Sequence, residues 1–261
     1  MSAPVQQPAP DAGQQSQASQ AGLAVVLAAS IAALWPSLDL LDLKHSLPRF
    51  KAGVGAVVIR HAQASAALAA QQYRRQRVAA GVGGSFRPSA VPPPTVAQIA
   101  QSGDWAVQPL WNANVLAAAT GQPEAPPTEA LPAASTAIAD AKARLAASTE
   151  RLVLDTGRNT IVDNAQRDAK AKGWARVPEP GACSFCLMLA TRGAVYRSES
   201  MADFKSHDNC RCHVEPVFTA YEPSAAVRQA QALWASSTRG KSGNAARIAF
   251  RQAVEGRTAP K

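Results

Sequence analysis

Aromatic residues make up only 5 % of the 261-residue chain, and there are just four histidines and four cysteines. Segments in which β-branched or aromatic residues alternate with polar ones are hard to find. That shortage excludes an all-β sandwich or barrel, whose inner faces need such residues. No uninterrupted apolar run reaches the roughly 18 residues expected of a membrane span. Acidic residues are fewer than basic ones, 18 against 27, which leaves a formal charge of +9. What is abundant is alanine within a 47 % hydrophobic fraction, the composition of Ala-rich helices. The length suits one or two domains and can bury a core without disulfide staples.

The pattern along the chain predicts a mainly α fold: an elongated helical body, then a small zinc-stabilised α+β knuckle, then two C-terminal helices. Residues 1–21 are Gln, Ala, Pro and Ser with Asp11 as the one charge, and are expected to be a disordered tail. Gly22 to Trp35 is uncharged with no Lys or Arg before it, which fits a buried helix better than a signal peptide. Without a visible export signal, a reducing compartment is expected, where thiols stay free for metal.

Residues 22–172 form the predicted helical domain, broken by Pro-rich stretches near 85–95 and 120–132 that cannot continue a helix. A helix is expected from Pro48, with Val54, Val57, His61, Ala64 and Leu68 on one face. It ends in Arg74, Arg75 and Arg77, which suit the dipole of a last turn. A short helix from Pro109 to Ala119 follows, with Trp105 and Trp111 as packing anchors. A long helix is expected from Ala133 to about Lys172. Beyond Leu152 its face turns polar at Asp155 and Asn159, and Gly157 weakens it by roughly 1 kcal/mol relative to Ala. This stretch is expected to leave the core or meet another protein. Residues 173–222 form the knuckle, with a strand at His213 to Phe218. Residues 223–261 form two basic helices, with Val227, Ala230 and Trp234 on one inner face and Ala245, Ile248, Ala249 and Ala253 on the other.

All four cysteines lie between Cys183 and Cys212, and His207 and His213 share that window. The spacing is Cys183-x2-Cys186, then His207-x2-Cys210-x-Cys212. A Cys-x2-Cys turn lets two thiolates reach one tetrahedral ion, and a second cluster after a hairpin-length loop supplies the rest. The window holds more donors than the four that zinc needs. Cys183, Cys186, His207 and Cys212 are the preferred set, with Cys210 as the rival. A thioredoxin-like pair would need a βαβ setting that is missing. The site reads as structural, because no His-Glu-x-x-His or His-x-Glu pattern supplies a catalytic base.

Two other motifs fail. Gly240-Lys241-Ser242 ends like a P-loop, but the first glycine would fall on Ala235. Asp208-Asn209 beside His207 lacks the further histidines of a ββα-metal nuclease. His45 and His61 have no nucleophile partner, so no enzyme is expected. Arg239, Lys241, Arg247 and Arg251 in the basic C-terminal region are candidates for weak, sequence-blind contact with duplex DNA.

Together these segments resemble a known family. Gly173-Trp174-Ala175-Arg176-Val177-Pro178, Gly181-Ala182-Cys183-Ser184-Phe185-Cys186-Leu187-Met188, Val195-Tyr196 and His207-Asp208-Asn209-Cys210-Arg211-Cys212 are similar to the Mu F-like minor head proteins of tailed phages, in the version found in actinobacteriophages. Gly157-Arg158-Asn159-Thr160 and the stretch from Tyr221 to Lys241 add to the likeness, which spans about residues 150–255. The resemblance implies a minor capsid protein acting in head morphogenesis at or near the portal. Its implied partners are the portal protein, the major capsid protein and packaged double-stranded DNA, with no membrane partner. Its implied location is the virion, and the host cytoplasm during assembly.

Overall fold

The computed structural model describes residues 12–40, 42–112, 127–179, 181–194, 204, 206–210 and 212–258. The first eleven residues, the expected helix beyond Asn112, and Val195-Tyr196 lie outside the described residues.

Helix α1 (Ala12–Ala32) leads into a 3-10 turn at Trp35–Ser37, then α2 (Leu43–Ala79) and α3 (Val96–Val107). A second 3-10 turn spans Gln108–Trp111, and α4 is the long helix Pro127–Arg167. Strand β1 (Gly173–Val177), α5 (Ser184–Ala190), β2 (His213–Val217), α6 (Ala225–Ser237) and α7 (Gly243–Thr258) complete the order. The described part is mainly helical, as the composition implied.

Several boundaries differ from expectation. Helix α1 reaches back to Ala12, so the expected disordered tail is helical over 12–21. Its Ala and Gln are good helix formers, and Gln17 and Gln20 tie it to the body. Gln17 Nε2 donates to Glu179 at 2.9 Å, and Gln20 Nε2 donates to the Ser65 carbonyl at 3.1 Å. Only one face of α1 is buried, through Leu27 and Ile31; Val25 is 71 % exposed. The stretch Gln17–Ser37 has a mean hydropathy of 1.7, long and apolar enough to cross a membrane by length and composition. The rule of an unbroken apolar run missed it because isolated Ser and Gln residues interrupt the stretch.

Helix α2 starts at Leu43 and carries Pro48 within it. Its buried stripe is Val54, Val58, Ala62, Ser65, Ala66 and Ala69. Small residues dominate there because α1 and α4 both pack against α2. Helix α3 was not anticipated as such, yet it opens on a capping box. Thr95 Oγ1 accepts from the Gln98 amide, and the Gln98 side chain accepts from the Thr95 amide. Trp105 and Trp111 are not anchors: both stand about half exposed, and the buried residues beside them are Ala106, Val107 and Leu110.

The polar part of α4 does not leave the core. Val153, Leu154, Thr156, Arg158, Thr160, Ile161 and Asn164 are all buried, and only Asn159 of the expected polar face is exposed. Asp155 is engaged internally with Arg158 and Ser206. Gly157 sits where α4 crosses α2. A Cβ there would lie 2.5 Å from Ser65 Oγ and 3.3 Å from the Ser65 carbonyl, so the lost helix propensity is the cost of close approach.

The Pro-rich stretch after α2 is strapped along α4. Ser89 donates its amide to Asn164 Oδ1 at 3.0 Å and accepts from Asn164 Nδ2 at 2.8 Å. Arg77, expected only to complement the dipole, is buried instead. Its Nε donates to Asp168 Oδ2 at 2.8 Å, and its other nitrogens donate to the carbonyls of Val82 and Gly83.

Strands β1 and β2 pair antiparallel, with Gly173 opposite Val217 and Val177 opposite His213. Trp174, Cys186, Phe204, Cys210, Cys212, Val214 and Phe218 join Tyr73 and Ile161 of the helices in one apolar cluster. The cysteine segment is therefore built onto α2 and α4. Helices α6 and α7 pack on each other through Leu233, Phe250 and Val254, with Leu187 and Met188 of α5 beside them. The inner face of α7 is Ala246, Phe250 and Val254 rather than the expected Ala245, Ile248, Ala249 and Ala253. Burying Phe250 outweighs burying Ile248 because the aromatic removes more apolar surface from water.

Candidate metal centre

Three short elements bring the donors together. Cys183 caps α5, its Sγ accepting from the Cys186 amide at 3.5 Å, so the Cys-x2-Cys turn opens a helix. His207 to Cys210 forms a second tight turn, in which the Cys210 amide donates to the His207 carbonyl at 3.0 Å. Asn209 takes a left-handed φ of 63° there, a conformation that Asn tolerates better than most residues. Cys212 follows immediately before β2.

Two groups of donor atoms result, each with its atoms within 4.8 Å of one another: Cys183, Cys186 and His207, and Cys186, Cys210 and Cys212. Cys186 is common to both. The closest approaches are 3.0 Å from Cys183 Sγ to His207 Nε2, 3.4 Å from Cys186 Sγ to His207 Nε2, and 3.5 Å from Cys186 Sγ to Cys210 Sγ. With zinc bonds of about 2.3 Å to sulfur and about 2.0 Å to nitrogen, a tetrahedron has edges of roughly 3.5–3.8 Å. The four cysteines are free thiols, and Cys186, Cys210 and Cys212 are buried. His207 Nδ1 is held 2.7 Å from the Asp208 carbonyl. That bond makes Nδ1 the protonated nitrogen and turns the Nε2 lone pair toward the thiols, the tautomer a ligand needs. All five residues expected from the sequence converge and can hold a metal ion. His213 lies outside both groups and faces Glu215 at 3.2 Å.

The electrostatics fit a cation. Burial opposes the Cys183 thiolate, but the Cys186 amide and His207 outweigh it and hold its pKa below the ordinary thiol value. Burial likewise opposes charge on His207, while the Asp208 carbonyl and Cys183 raise its pKa overall. A hydrogen bond from Cys186, then one from Cys212, pull Cys210 down. The same bond to Cys210, then contact with Cys212 and burial, push Cys186 up. Cys212 is lowered by its bond with Cys186, but the bond with Cys210 and burial raise it overall. Crowded buried thiols cannot all ionise unless a positive ion joins them.

Sequence reasoning missed the residues that hold this arrangement. Arg158 of α4 donates through Nε to the Cys212 carbonyl at 2.9 Å, through Nη2 to the Cys210 carbonyl, and through Nη1 to Asp155 at 2.7 Å. Asp155 also accepts from Ser206 at 2.5 Å. Arg151 of α4 reaches Asp208 at 2.6 Å. Arg176 of β1 stacks over Phe204, 3.6 Å from the ring centroid, and its Nη1 lies 3.7 Å from Cys186 Sγ. Arg158, Arg176 and Asp208 stand in segments that carry the family resemblance, which was the available signal.

The other predicted residues belong to neither donor group. Arg239 and Lys241 are exposed in the turn between α6 and α7, and Arg247 and Arg251 are exposed on α7. Arg251 faces Glu255 at 3.8 Å, and Arg247 donates to Asn244 at 3.1 Å.

The fold and this centre define a helical protein that carries, on its two longest helices, a Cys/His knuckle able to hold a metal ion. The chain belongs to the VG15 protein family, a viral family of phage proteins whose model matches residues 7–254. No curated protein and no solved structure matches the sequence.

Proposed function

We propose that the protein is a Mu F-like minor head protein that acts in phage head morphogenesis at or near the portal. Membership of a viral family over nearly the whole chain carries this reading, and such membership is consistent with a virion-associated protein. The portal and major capsid proteins are its partners. Its work is structural rather than enzymatic. The exposed Arg239, Lys241, Arg247 and Arg251 suit non-specific contact with packaged DNA. The test is mass spectrometry of purified heads and tail-less particles, with pull-down by the co-expressed portal protein. Recovery with heads supports the reading; a protein that never co-purifies with heads or portal refutes it.

The metal is zinc in a closed, structural site with Cys183, Cys186, His207 and Cys210 as ligands. Cys210 takes the fourth place that the spacing had offered first to Cys212. It ends a His-x2-Cys turn matching the Cys-x2-Cys turn, and it touches Cys186 directly. Bound zinc supplies folding free energy to the knuckle. Elemental analysis of protein purified without chelator should give one zinc per chain. Cys210→Ser should lose it and Cys212→Ser should keep it. The reverse pattern refutes this ligand set, and less than about a tenth of an equivalent in the unaltered protein refutes the site.

A further inference from the structure

A cleft lies between α5 and α7. With Ala246, Phe250 and Val254 turned inward, Ile248 is 40 % exposed, and it faces Phe185 of α5, itself 39 % exposed. Phe185, Met188, Ile248 and Phe250 line a cleft of about 230 Å³ together with the exposed Arg247 and Arg251 and with Ser184 and Asn244. Phe185 lies inside the Cys-x2-Cys turn, and its ring packs edge-on against His207 with centroids 6.2 Å apart. The metal knuckle thus fixes the aromatic that lines the cleft.

The combination selects among ligands. Two guanidinium groups one helical turn apart, about 6 Å along the axis, favour an anion with repeated charge. Arg239 and Lys241 are exposed in the turn that leads into α7, and Glu255 is the one acid in residues 223–261. Glu255 is engaged with Arg251. A polyanionic backbone suits these exposed cations. An apolar lining containing an open aromatic ring adds something that duplex DNA cannot use, because its base faces are hidden in the stack. Unpaired bases do offer those faces, and stacking on aromatic side chains beside a basic groove is how sequence-tolerant single-strand binders work.

We propose that the cleft between α5 and α7 binds single-stranded nucleic acid, with one base stacked on Phe185 against Ile248 and the flanking phosphates held by Arg247 and Arg251. This goes beyond the head-assembly role and beyond non-specific duplex contact.

The test is fluorescence anisotropy of the full chain with three labelled probes: a 20-nucleotide oligo-dT, a 20-base-pair duplex, and an acidic peptide with apolar residues. The oligo-dT should bind at least about tenfold more tightly than the duplex. Phe185→Ala should weaken oligo-dT binding by roughly 5- to 100-fold, the range for losing one stacked base, and leave duplex binding unchanged. Ile248→Ser lies on α7, outside the cysteine segment, and should weaken oligo-dT binding in the same direction with zinc content unaltered. Phe185→Trp should retain it. Replacing Arg247 and Arg251 together by Gln should weaken both DNA probes and reduce the slope of log affinity against log salt by about 1.4 for the single strand. Equal binding of duplex and single strand, or indifference to both Phe185→Ala and Ile248→Ser, overturns the proposal. Binding of the peptide alone overturns it too and makes the cleft a protein-docking site. Recovery with heads is unaffected by any of these outcomes, so failure here is distinct from failure of the assembly role.

Discussion

Arg158→Ala should be the most damaging single substitution outside the cysteines. The Arg158 side chain is 6 % exposed, and its guanidinium makes three charge-assisted contacts, to Asp155 and to the carbonyls of Cys210 and Cys212. It also lies over the Phe204 ring, 5.1 Å from the centroid. A hydrogen bond to a charged group is worth about 1.5–3 kcal/mol, but contacts made by one group do not add. The better guide is the loss of one partner from a buried ion pair, which costs roughly 3–5 kcal/mol because the remaining charge is stranded. Asp155 would be that charge, retaining only Ser206. We expect a loss in this range and weakened zinc retention, because the backbone that presents Cys210 and Cys212 loses its tether to α4. Arg158→Lys should be intermediate, since one ammonium cannot reach three acceptors in a fork. Urea denaturation followed by tryptophan fluorescence reads the stability; Trp174 is buried in the same cluster, 5.9 Å from Phe204. Titration with a competing chelator reads the metal. A loss below about 1 kcal/mol with unchanged chelator resistance would refute the view that Arg158 holds the site.

Gly157→Ala should destabilise by about 1–3 kcal/mol despite gaining about 1 kcal/mol of helix propensity, because the new methyl meets Ser65 at 2.5 Å. Thermal melts of Gly157→Ala with and without Ser65→Gly check this, the second change restoring part of the loss. Asp168 has its pKa lowered in the fold: burial opposes this, but the Arg77 hydrogen bond, the Lys170 amide and Tyr73 outweigh it. The sign of the linkage follows. Stability from this pair is present above the unfolded value of about 4 and is lost as pH falls through the lower folded value. Asp168→Asn should flatten the acid limb of stability against pH, measured between about pH 5 and pH 2. Chelation of the proposed zinc should reduce protection of the amide hydrogens of α5 and of Cys210 and leave those of the β1–β2 ladder, α2 and the first half of α4 protected, as read by hydrogen exchange.

The cysteine spacing was legible because metal ligation depends on residue type and short separations, both printed in the sequence. The helical class was equally plain from alanine content and from the 3.6-residue periodicity of α2 and α4. Strand β1 was not. Gly173-Trp174-Ala175-Arg176 is buried throughout, so it shows no two-residue alternation, and its partner lies some 40 residues away along the chain. The inward turn of Arg158 and Asp155 was hidden because a charged pair on a helix ordinarily faces water; only the neighbouring carbonyls of the cysteine segment reverse that. The capping box at Thr95 and Gln98 was readable and marks the start of α3. The face of α7 was misread by counting alanines and Ile248 rather than weighing Phe250, whose ring dictates which way the helix turns. The extent of α1 was masked by its Gln-rich start, which has the composition of a flexible tail as well as that of a helix.

The β1–β2 ladder closes residues 178–212 into a loop whose ends are fixed by backbone pairing from Gly173–Val217 to Val177–His213. The two halves of the donor set sit on opposite arms of that loop. Once the ladder has formed, the second arm meets the first as an intramolecular partner at a high effective concentration, and the entropy of closing the loop has already been spent. Capture of the proposed zinc would then be a late event on a closed ring rather than the nucleus of the fold. Its kinetic signature would be a zinc on-rate that follows the stability of the ladder. A substitution at the pairing residue Ala175, which is not itself a ligand, should therefore slow metal uptake while leaving the ligand atoms themselves unchanged.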